Sequence, residues 1–212
     1  DYKLKFAQYY SDALPQDYEW FKYPMGVVLM MKEAGYKVGG LRITFGGNIP
    51  QGAGLSSSAA LEVATAFGIQ NLYGYNIKGP DLAKICQKAE HVVVGVKCGI
   101  MDQYISRMGE DKNALLIDCR TLEYRLVPLN LGSMKIVITN SNVPHKLSSS
   151  LYNTRVAECH EAVKIMNETN QPKFLRDFTI KHFEAYKSFF TKTIANRALH
   201  VINENQRVLD AE

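Results

Sequence analysis

Residues 50–68 read PQGAGLSSSAALEVATAFG, and this stretch decides most of the fold and function prediction. Gly52 and Gly54 precede three consecutive serines, and an apolar segment with helix-forming residues follows. A glycine turn that opens a helix can bind an anion, because the first helical turn has free backbone N–H groups and the positive end of the macrodipole. The stretch therefore predicts a phosphate-binding loop. A connector that merely caps the helix remains an equally open interpretation.

This loop contains no lysine, which excludes the GxxxxGK[ST] phosphate loop. Backbone amides, serine hydroxyls and the helix dipole can hold a phosphate without that lysine. Glycine at positions 52 and 54 lets the backbone approach a ligand closely and adopt positive φ.

Two carboxylates stand out further along the chain. Glu90 lies off the apolar stripe of its predicted helix, and together with the Ser58 hydroxyl it would supply the hard oxygen ligands that Mg²⁺ prefers. That stripe consists of Leu82, Ile85, Ala89 and Val93. Asp102 lies at a predicted helix start, where the dipole stabilises an ionised carboxylate that could accept a hydroxyl proton. Taken alone, Glu90 reads more simply as a solvated surface residue, and Asp102 as a helix-capping residue.

The hydrophobic pattern along the chain predicts an α+β fold, with a mixed sheet backed by helices and a mostly helical segment after it. Helices are expected over residues 18–35, 55–74, 79–95 and 98–109, and from about residue 148 to the end apart from a loop near Pro172. Strands are expected over residues 2–6, 39–45, 113–120, 122–130 and 134–142.

Composition narrows the class of protein. The chain has 212 residues, 46% of them hydrophobic, and a formal net charge of +4 that is too small and too scattered to indicate a nucleic-acid partner. No apolar run is long enough to cross a membrane. The four cysteines and five histidines have no metal-ligand spacing, so we expect reduced thiols in a cytoplasmic protein. The oligomeric state is left open.

Four stretches together resemble the galactokinases, a branch of the GHMP kinase superfamily that also includes homoserine, mevalonate and phosphomevalonate kinases. These stretches are PQGAGLSSSAALE (50–62), AEHVVVGVKCGIMDQ (89–103), ALLIDCRTLEY (114–124) and TNSNVPHKLSSSLYNTRVAEC (139–159). The loop alone marks only the superfamily, whereas CGIMDQ followed by LIDCR is far more specific. The resemblance extends from about Trp20 to the C-terminus.

The resemblance implies ATP-dependent phosphorylation of galactose at its C1 hydroxyl, with ATP and Mg²⁺ bound. Asp102 would act as the catalytic base or orienting carboxylate, Ser58 and Glu90 would hold Mg²⁺, and galactose would contact Gly99, Asp102 and Tyr152. The residues implied to hold the ATP phosphates are Gly52, Ala53, Gly54, Leu55, Ser56, Ser57 and Ser58.

The same resemblance implies two domains, over residues 1–130 and 131–212. Two family motifs are missing, one resembling GRVNLIGEHTDY and one resembling GGGFGG, so we expect the chain to be the central piece of a longer enzyme and inactive alone. An N-acetylgalactosamine kinase is the nearest alternative, which CGIMDQ disfavours. A galactokinase-like regulatory protein that binds ATP and sugar without turnover is disfavoured by the intact GLSSSAALE.

Overall fold

The structure is a computed structural model that describes residues 19–140, 149–169 and 173–211. The chain divides into two compact units, Asp1–Lys146 and Leu147–Glu212. The change of unit falls among residues 141–148, which lie outside the described residues, so the predicted domain division at residues 130 and 131 stays a prediction.

Helices make up most of the regular secondary structure in the described part of the first unit. They are α1 (Lys22–Glu33), α2 (Ser57–Tyr73), α3 (Gly79–Ala89), a π-helical turn (Glu90–Val94) that continues α3, and α4 (Met101–Met108), with a 3₁₀ turn at Glu19–Phe21 before α1. All four predicted helices are therefore confirmed. Pro24 falls in the first turn of α1, where proline is tolerated.

The core of this unit lies where α1, α2 and α3 meet. Its fully buried side chains include Val27 and Met31 from α1, Ile69 from α2 and Leu82 from α3. Gly26 permits the close approach of α1 to α3, because a Cβ at this position would lie 3.1 Å from the Cβ atoms of Ala89 and Val93.

A β-hairpin follows α4. Strand β1 (Asn113–Ile117) pairs antiparallel with β2 (Tyr124–Pro128), with Leu115 opposite Leu126, so the two predicted strands in this region are confirmed. Tyr104 ties the hairpin to α4, because its hydroxyl donates a 3.2 Å hydrogen bond to the Leu122 carbonyl. Helices with a small antiparallel sheet confirm the predicted α+β class.

Two other predicted strands are absent from the described residues. Residues 39–45 and 134–140 have no strand conformation, and Ile136, Val137 and Ile138 in the second segment are largely exposed. An alternating segment becomes a strand only by pairing with another strand, and the only pairing in the described residues is β1 with β2. The predicted strand at residues 2–6 and the last two residues of the 134–142 segment lie outside the described residues.

The described part of the second unit is helical, as predicted. It contains α5 (Ser149–Met166), α6 (Ile180–Tyr186) and α7 (Lys192–Ala211), with 3₁₀ turns at Leu175–Asp177 and Lys187–Phe189. Its own apolar core includes Ala162 and Met166 of α5, Phe183 of α6, and Ala198 and Ile202 of α7. The predicted loop at Pro172 lies outside the described residues.

None of the helices in the described ranges is long and apolar enough to cross a membrane.

Candidate active site

The glycine–serine loop has an unusual backbone. Gly52 and Gly54 have φ of +70° and +73°, and Ser56 has φ of 55° in the left-handed region. A Cβ at either glycine would meet no atom within 4 Å, so positive φ rather than lack of space explains why glycine suits these positions. Ser56 is the N-cap of α2 but makes no side-chain cap. A loop of left-handed residues opening a 17-residue helix fits the predicted anion site.

Ser58 and Glu62 lie one turn apart near the start of α2. Residues four apart share a helix face, so the Ser58 hydroxyl and the Glu62 carboxyl are on the same side of the helix. Glu62 has 0% of its surface exposed, which is rare for a glutamate in a helix of apolar neighbours. The face of α2 that Ser58 and Glu62 share is therefore buried inside the unit at Glu62.

Glu90 is also buried, with 3% exposure, so its interpretation as a solvated surface residue is wrong. The buried face of α3 includes the small side chains of Ala83 and Cys86, and Glu90 shares this face because it lies four residues after Cys86 and seven after Ala83. The helix then widens into the π-helical turn that Glu90 begins and Gly95 ends. Such turns are frequent at functional sites.

Gln103 of α4 joins the two buried glutamates. Its side-chain Nε2 donates hydrogen bonds to Glu62 Oε2 at 3.1 Å and to Glu90 Oε2 at 2.9 Å, and Gln103 itself is 0% exposed. Three elements, α2, the π-helical turn and α4, thus meet at one amide group. We call Glu62, Glu90 and Gln103 the carboxylate–amide cluster.

Burial governs the electrostatics of the carboxylate–amide cluster. Desolvation, followed by repulsion from Glu90, raises the pKa of Glu62 from 4.5 to about 9, although the Gln103 hydrogen bond opposes the rise. Desolvation also raises the pKa of Glu90, and the nearby charge of Asp102 adds to that rise. Among the described residues, no lysine or arginine forms an ion pair with either glutamate.

The segment before α4 is held by side chains of α3 and the π-helical turn. The Cys98 carbonyl lies 3.1 Å from Gln87 Nε2, which donates to it, and 2.8 Å from His91 Nε2. These contacts fix the segment that carries Gly99 and leads into α4. Burial and the nearby Glu90 raise the pKa of the Cys98 thiol, so this thiol stays protonated.

Asp102 is in the first turn of α4, as predicted. The N-cap of α4 is Ile100, with no side-chain cap, so the capping interpretation of Asp102 is wrong. Asp102 is half-buried, and it lies close enough to Glu90 for its charge to raise the pKa of Glu90. The structure therefore brings the predicted catalytic carboxylate and one predicted metal ligand together.

The other predicted site residues are more exposed than Glu90. Ser58 is half-buried, and the described residues show no hydrogen bond between Ser58 and Glu90. Gly99 is exposed on the segment before α4. Tyr152 is 40% exposed on α5 in the second unit. The described residues contain no group of three His, Cys, Asp or Glu residues arranged to hold a metal ion.

The sequence interpretation missed Glu62 and Gln103. A signal was available for Glu62, because an acidic residue in a helix that is otherwise apolar on most faces has to be buried or partnered. Gln103 gave no such signal, since a glutamine beside Asp102 on a short amphipathic helix is typical of an exposed position.

Known proteins resemble this chain over most of its length. The family model described as GHMP kinases N terminal domain matches residues 22–110. The galactokinase of Clostridium tetani (strain Massachusetts / E88) is 44% identical over 191 residues, which cover 89% of this chain and 49% of that protein. The galactokinase of Thermotoga petrophila is also 44% identical over 191 residues, with 90% and 52% covered.

A solved structure agrees with these matches. The crystal structure of Lactococcus lactis galactokinase complexed with galactose superposes with a TM-score of 0.82 and 37% sequence identity, covering 93% of this chain and 52% of that one. The chain spans about half the length of the curated relatives it matches. The glycine–serine loop, α2 and the CGIMDQ helix all lie inside the range that matches the GHMP kinases N terminal domain, and the chain is similar over about nine-tenths of its length to galactokinases.

Proposed function

We propose that the protein containing this chain transfers the γ-phosphoryl group of ATP to the C1 hydroxyl of galactose. The observation that carries this proposal is the similarity to the galactokinase–galactose crystal structure, at a TM-score of 0.82 over 93% of the chain. At 37% identity this likeness extends beyond the fold to the sequence.

The glycine–serine loop would hold the ATP phosphates. Its left-handed residues and the start of α2 present backbone N–H groups and a positive dipole end, and the serines of the first turn add hydroxyl donors. Held in this way, the phosphates need no lysine from the loop, which answers the absence of one in residues 52–58.

Asp102 would act on the sugar hydroxyl. From the first turn of α4 its carboxylate can accept the proton of a hydroxyl or orient that hydroxyl toward the phosphorus. In phosphoryl transfer most of the acceleration comes from positioning and charge neutralisation, so a carboxylate held by a fixed helix start suits this task. Gly99 and Tyr152 are proposed galactose contacts, carried over from the sequence resemblance alone.

Ser58 and Glu90 fit a Mg²⁺ ion by the chemistry of their donors. Both offer hard oxygens, and a buried carboxylate with no ion pair to a lysine or arginine among the described residues would be stabilised by a bound cation. When bound there, Mg²⁺ would neutralise phosphate charge. Ser58 and Glu90 would orient it from α2 and from the π-helical turn.

The site should also work in a reducing compartment. Cys86, Cys98 and Cys159 are free thiols in the described residues. This supports the proposal of a cytoplasmic protein, because unpaired thiols are typical of that compartment.

The proposal is tested with the full-length protein that contains this chain. ADP release is coupled to NADH oxidation, with galactose, glucose, N-acetylgalactosamine, mevalonate and homoserine offered in turn at saturating Mg·ATP. We expect turnover with galactose at least about a hundredfold faster than with any other acceptor. Product analysis should place the phosphate on the C1 oxygen.

Other outcomes identify the alternatives. Preference for N-acetylgalactosamine would assign the protein to that kinase branch. Tight binding of ATP and galactose with no ADP release would assign it to a regulatory role without turnover. Either result would overturn galactose phosphorylation as the function.

A further inference from the structure

We propose that Gln103 is a positioning residue for the metal ligand Glu90, and that Glu62 holds Gln103 in place by accepting its second amide hydrogen. The inference rests on the proposed metal-binding role of Glu90. It assigns functions to two buried residues that the proposed mechanism does not otherwise use.

The first step is the orientation of the Gln103 amide. Nε2 carries two hydrogens, and two carboxyl oxygens, at 3.1 and 2.9 Å, accept them. The opposite orientation would direct the amide oxygen at Glu90 Oε2, acceptor against acceptor. Glu90 therefore fixes which way the amide points, and the second amide hydrogen goes to Glu62 Oε2.

The second step concerns Glu90. Its Oε2 accepts the Gln103 bond, so the carboxyl plane is held by α4 while its backbone belongs to the π-helical turn. A ligand held in this way needs no rearrangement when a cation arrives. Partners that hydrogen-bond a metal-binding carboxylate typically change metal affinity by about 10- to 100-fold when mutated.

The third step concerns Glu62. It lies four residues after Ser58 on α2, and its own contact with the cluster is the bond from Gln103. Its second oxygen, Oε1, is buried without a hydrogen-bond partner among the described residues, as is Oε1 of Gln103. Buried polar atoms without partners are costly, and a protein keeps such a cost mainly where function requires it. Glu62 thus links α2, which carries Ser58, to Glu90 through the two hydrogen bonds of Gln103.

The fourth step links this geometry to Asp102. Gln103 is the next residue on α4, so the bond that orients Glu90 also fixes the helix start that presents Asp102. The Gln103 amide therefore connects three parts of the proposed site: helix α2 after the loop, the metal ligand Glu90 and the catalytic carboxylate Asp102.

The test measures metal binding as well as turnover. Mn²⁺ is titrated into the full-length protein with saturating ADP, and free Mn²⁺ is followed by electron paramagnetic resonance. Gln103→Met has nearly the same shape but no donors, and we expect it to weaken Mn²⁺ binding about tenfold. Glu62→Met should weaken binding less, since Glu90 keeps its donor. Glu62→Gln keeps an acceptor oxygen for Gln103 and should bind Mn²⁺ as the parent protein does.

Gln70→Met is the matched control. Gln70 is a second buried glutamine, two turns along α2 from Glu62, and its Oε1 also lacks a partner in the described residues. This variant removes a buried polar atom that has no partner, so it should keep or raise the melting temperature, and it should not change Mn²⁺ affinity. A purely structural role for Gln103 would likewise change only the melting temperature and leave Mn²⁺ affinity unchanged, and that result would overturn the proposal.

The outcomes separate this inference from the proposed function. Galactose turnover in the parent protein with unchanged Mn²⁺ affinity in Gln103→Met would overturn the positioning role and leave the kinase function intact. Weakened Mn²⁺ binding in Gln103→Met without galactose turnover in the parent would support the positioning role and overturn the substrate. If Gln103→Met fails to fold, the contrast between Glu62→Met and Glu62→Gln decides: equal Mn²⁺ affinities would overturn the inference.

Discussion

The least exposed glutamates of the two units have different hydrogen-bond partners. In the second unit, Glu158 of α5 is 15% exposed and accepts hydrogen bonds from Arg197 Nε at 2.6 Å and from Arg155 at 3.1 Å. In the first unit, Glu62 and Glu90 are almost completely buried, and a single neutral amide bridges them. The more buried carboxyl groups, Glu62 and Glu90, thus have a neutral hydrogen-bond partner, whereas the more exposed Glu158 has two arginines.

This difference separates structural charges from functional ones. An ion pair such as Glu158 with Arg197 needs no further partner, because its charge is already neutralised. A buried carboxyl without a cation either takes up a proton or requires a bound cation. In the first unit we assign the first outcome to Glu62 and the second to Glu90. Each prediction below tests whether that contrast holds.

The largest effect is expected at the carboxylate that faces the substrate. Asp102→Asn in the full-length protein should lower kcat at least about a hundredfold while ATP still binds, because the amide cannot accept the hydroxyl proton. Steady-state kinetics with galactose and fluorescence titration with an ATP analogue would measure both quantities. Asp111→Asn, at an exposed loop position, is the matched control and should leave kcat unchanged. A near-parental kcat in Asp102→Asn would remove this residue from catalysis.

The next effect concerns the proton on Glu62. Because its folded pKa is raised from 4.5 to about 9, the folded state binds a proton that the unfolded state releases. Stability is then highest below pH 4.5 and falls as pH rises toward 9. Glu62→Gln mimics the protonated form. Its free energy of unfolding should therefore exceed that of the parent by an amount that grows with pH, by about 2 kcal/mol from pH 5 to pH 7.

Urea denaturation of the metal-free protein across this range would measure the gain at Glu62. Glu90, Cys86 and Cys98 also face the cluster, and burial raises the pKa of each, so the comparison is made between the two proteins at each pH. A stability difference that stays constant with pH would mean that Glu62 is ionised in the folded state.

A smaller effect is expected at the proposed metal ligand. Glu90→Gln should raise the Mg²⁺ concentration for half-maximal turnover about tenfold, because an amide is a weaker ligand for Mg²⁺ than a carboxylate. Glu33→Gln, at an exposed position on α1, serves as the control. An unchanged Mg²⁺ dependence in Glu90→Gln would show that Glu90 is buried for structural reasons alone.

Local sequence rules predicted the helices well and the burial of the site poorly. Glycine stops and apolar stripes located α1 to α4, since both signals come from residues close together in the chain. The burial of Glu90 could not be predicted from the large apolar residues of α3, because their stripe excludes Glu90. The buried face also contains the small residues Ala83 and Cys86, which extend it toward Glu90. Gln103 could not be predicted, because its two partners lie 41 and 13 residues away in the sequence.

Strand prediction succeeded only where the partner was local. The strands β1 and β2 are neighbours in the chain and pair with each other, whereas the alternating segments at 39–45 and 134–140 have no strand partner among the described residues. Alternation reports which faces a strand would bury and does not supply the hydrogen-bonded neighbour.

The smallest effect should appear at the compensated charge of the second unit. Arg197→Met removes the 2.6 Å hydrogen bond to Glu158 but keeps most of the aliphatic contact, and Arg155 still faces the carboxylate. The pair is partly solvated, with Arg197 28% exposed, so solvent screening limits the loss of stability to about 1 kcal/mol. Denaturation midpoints in low salt and in 1 M NaCl would measure this loss, which should shrink in high salt. Mn²⁺ affinity and Mg²⁺ dependence should not change. A shift in either would mean that compensated charges also serve the site, and the contrast between the two units would then fail.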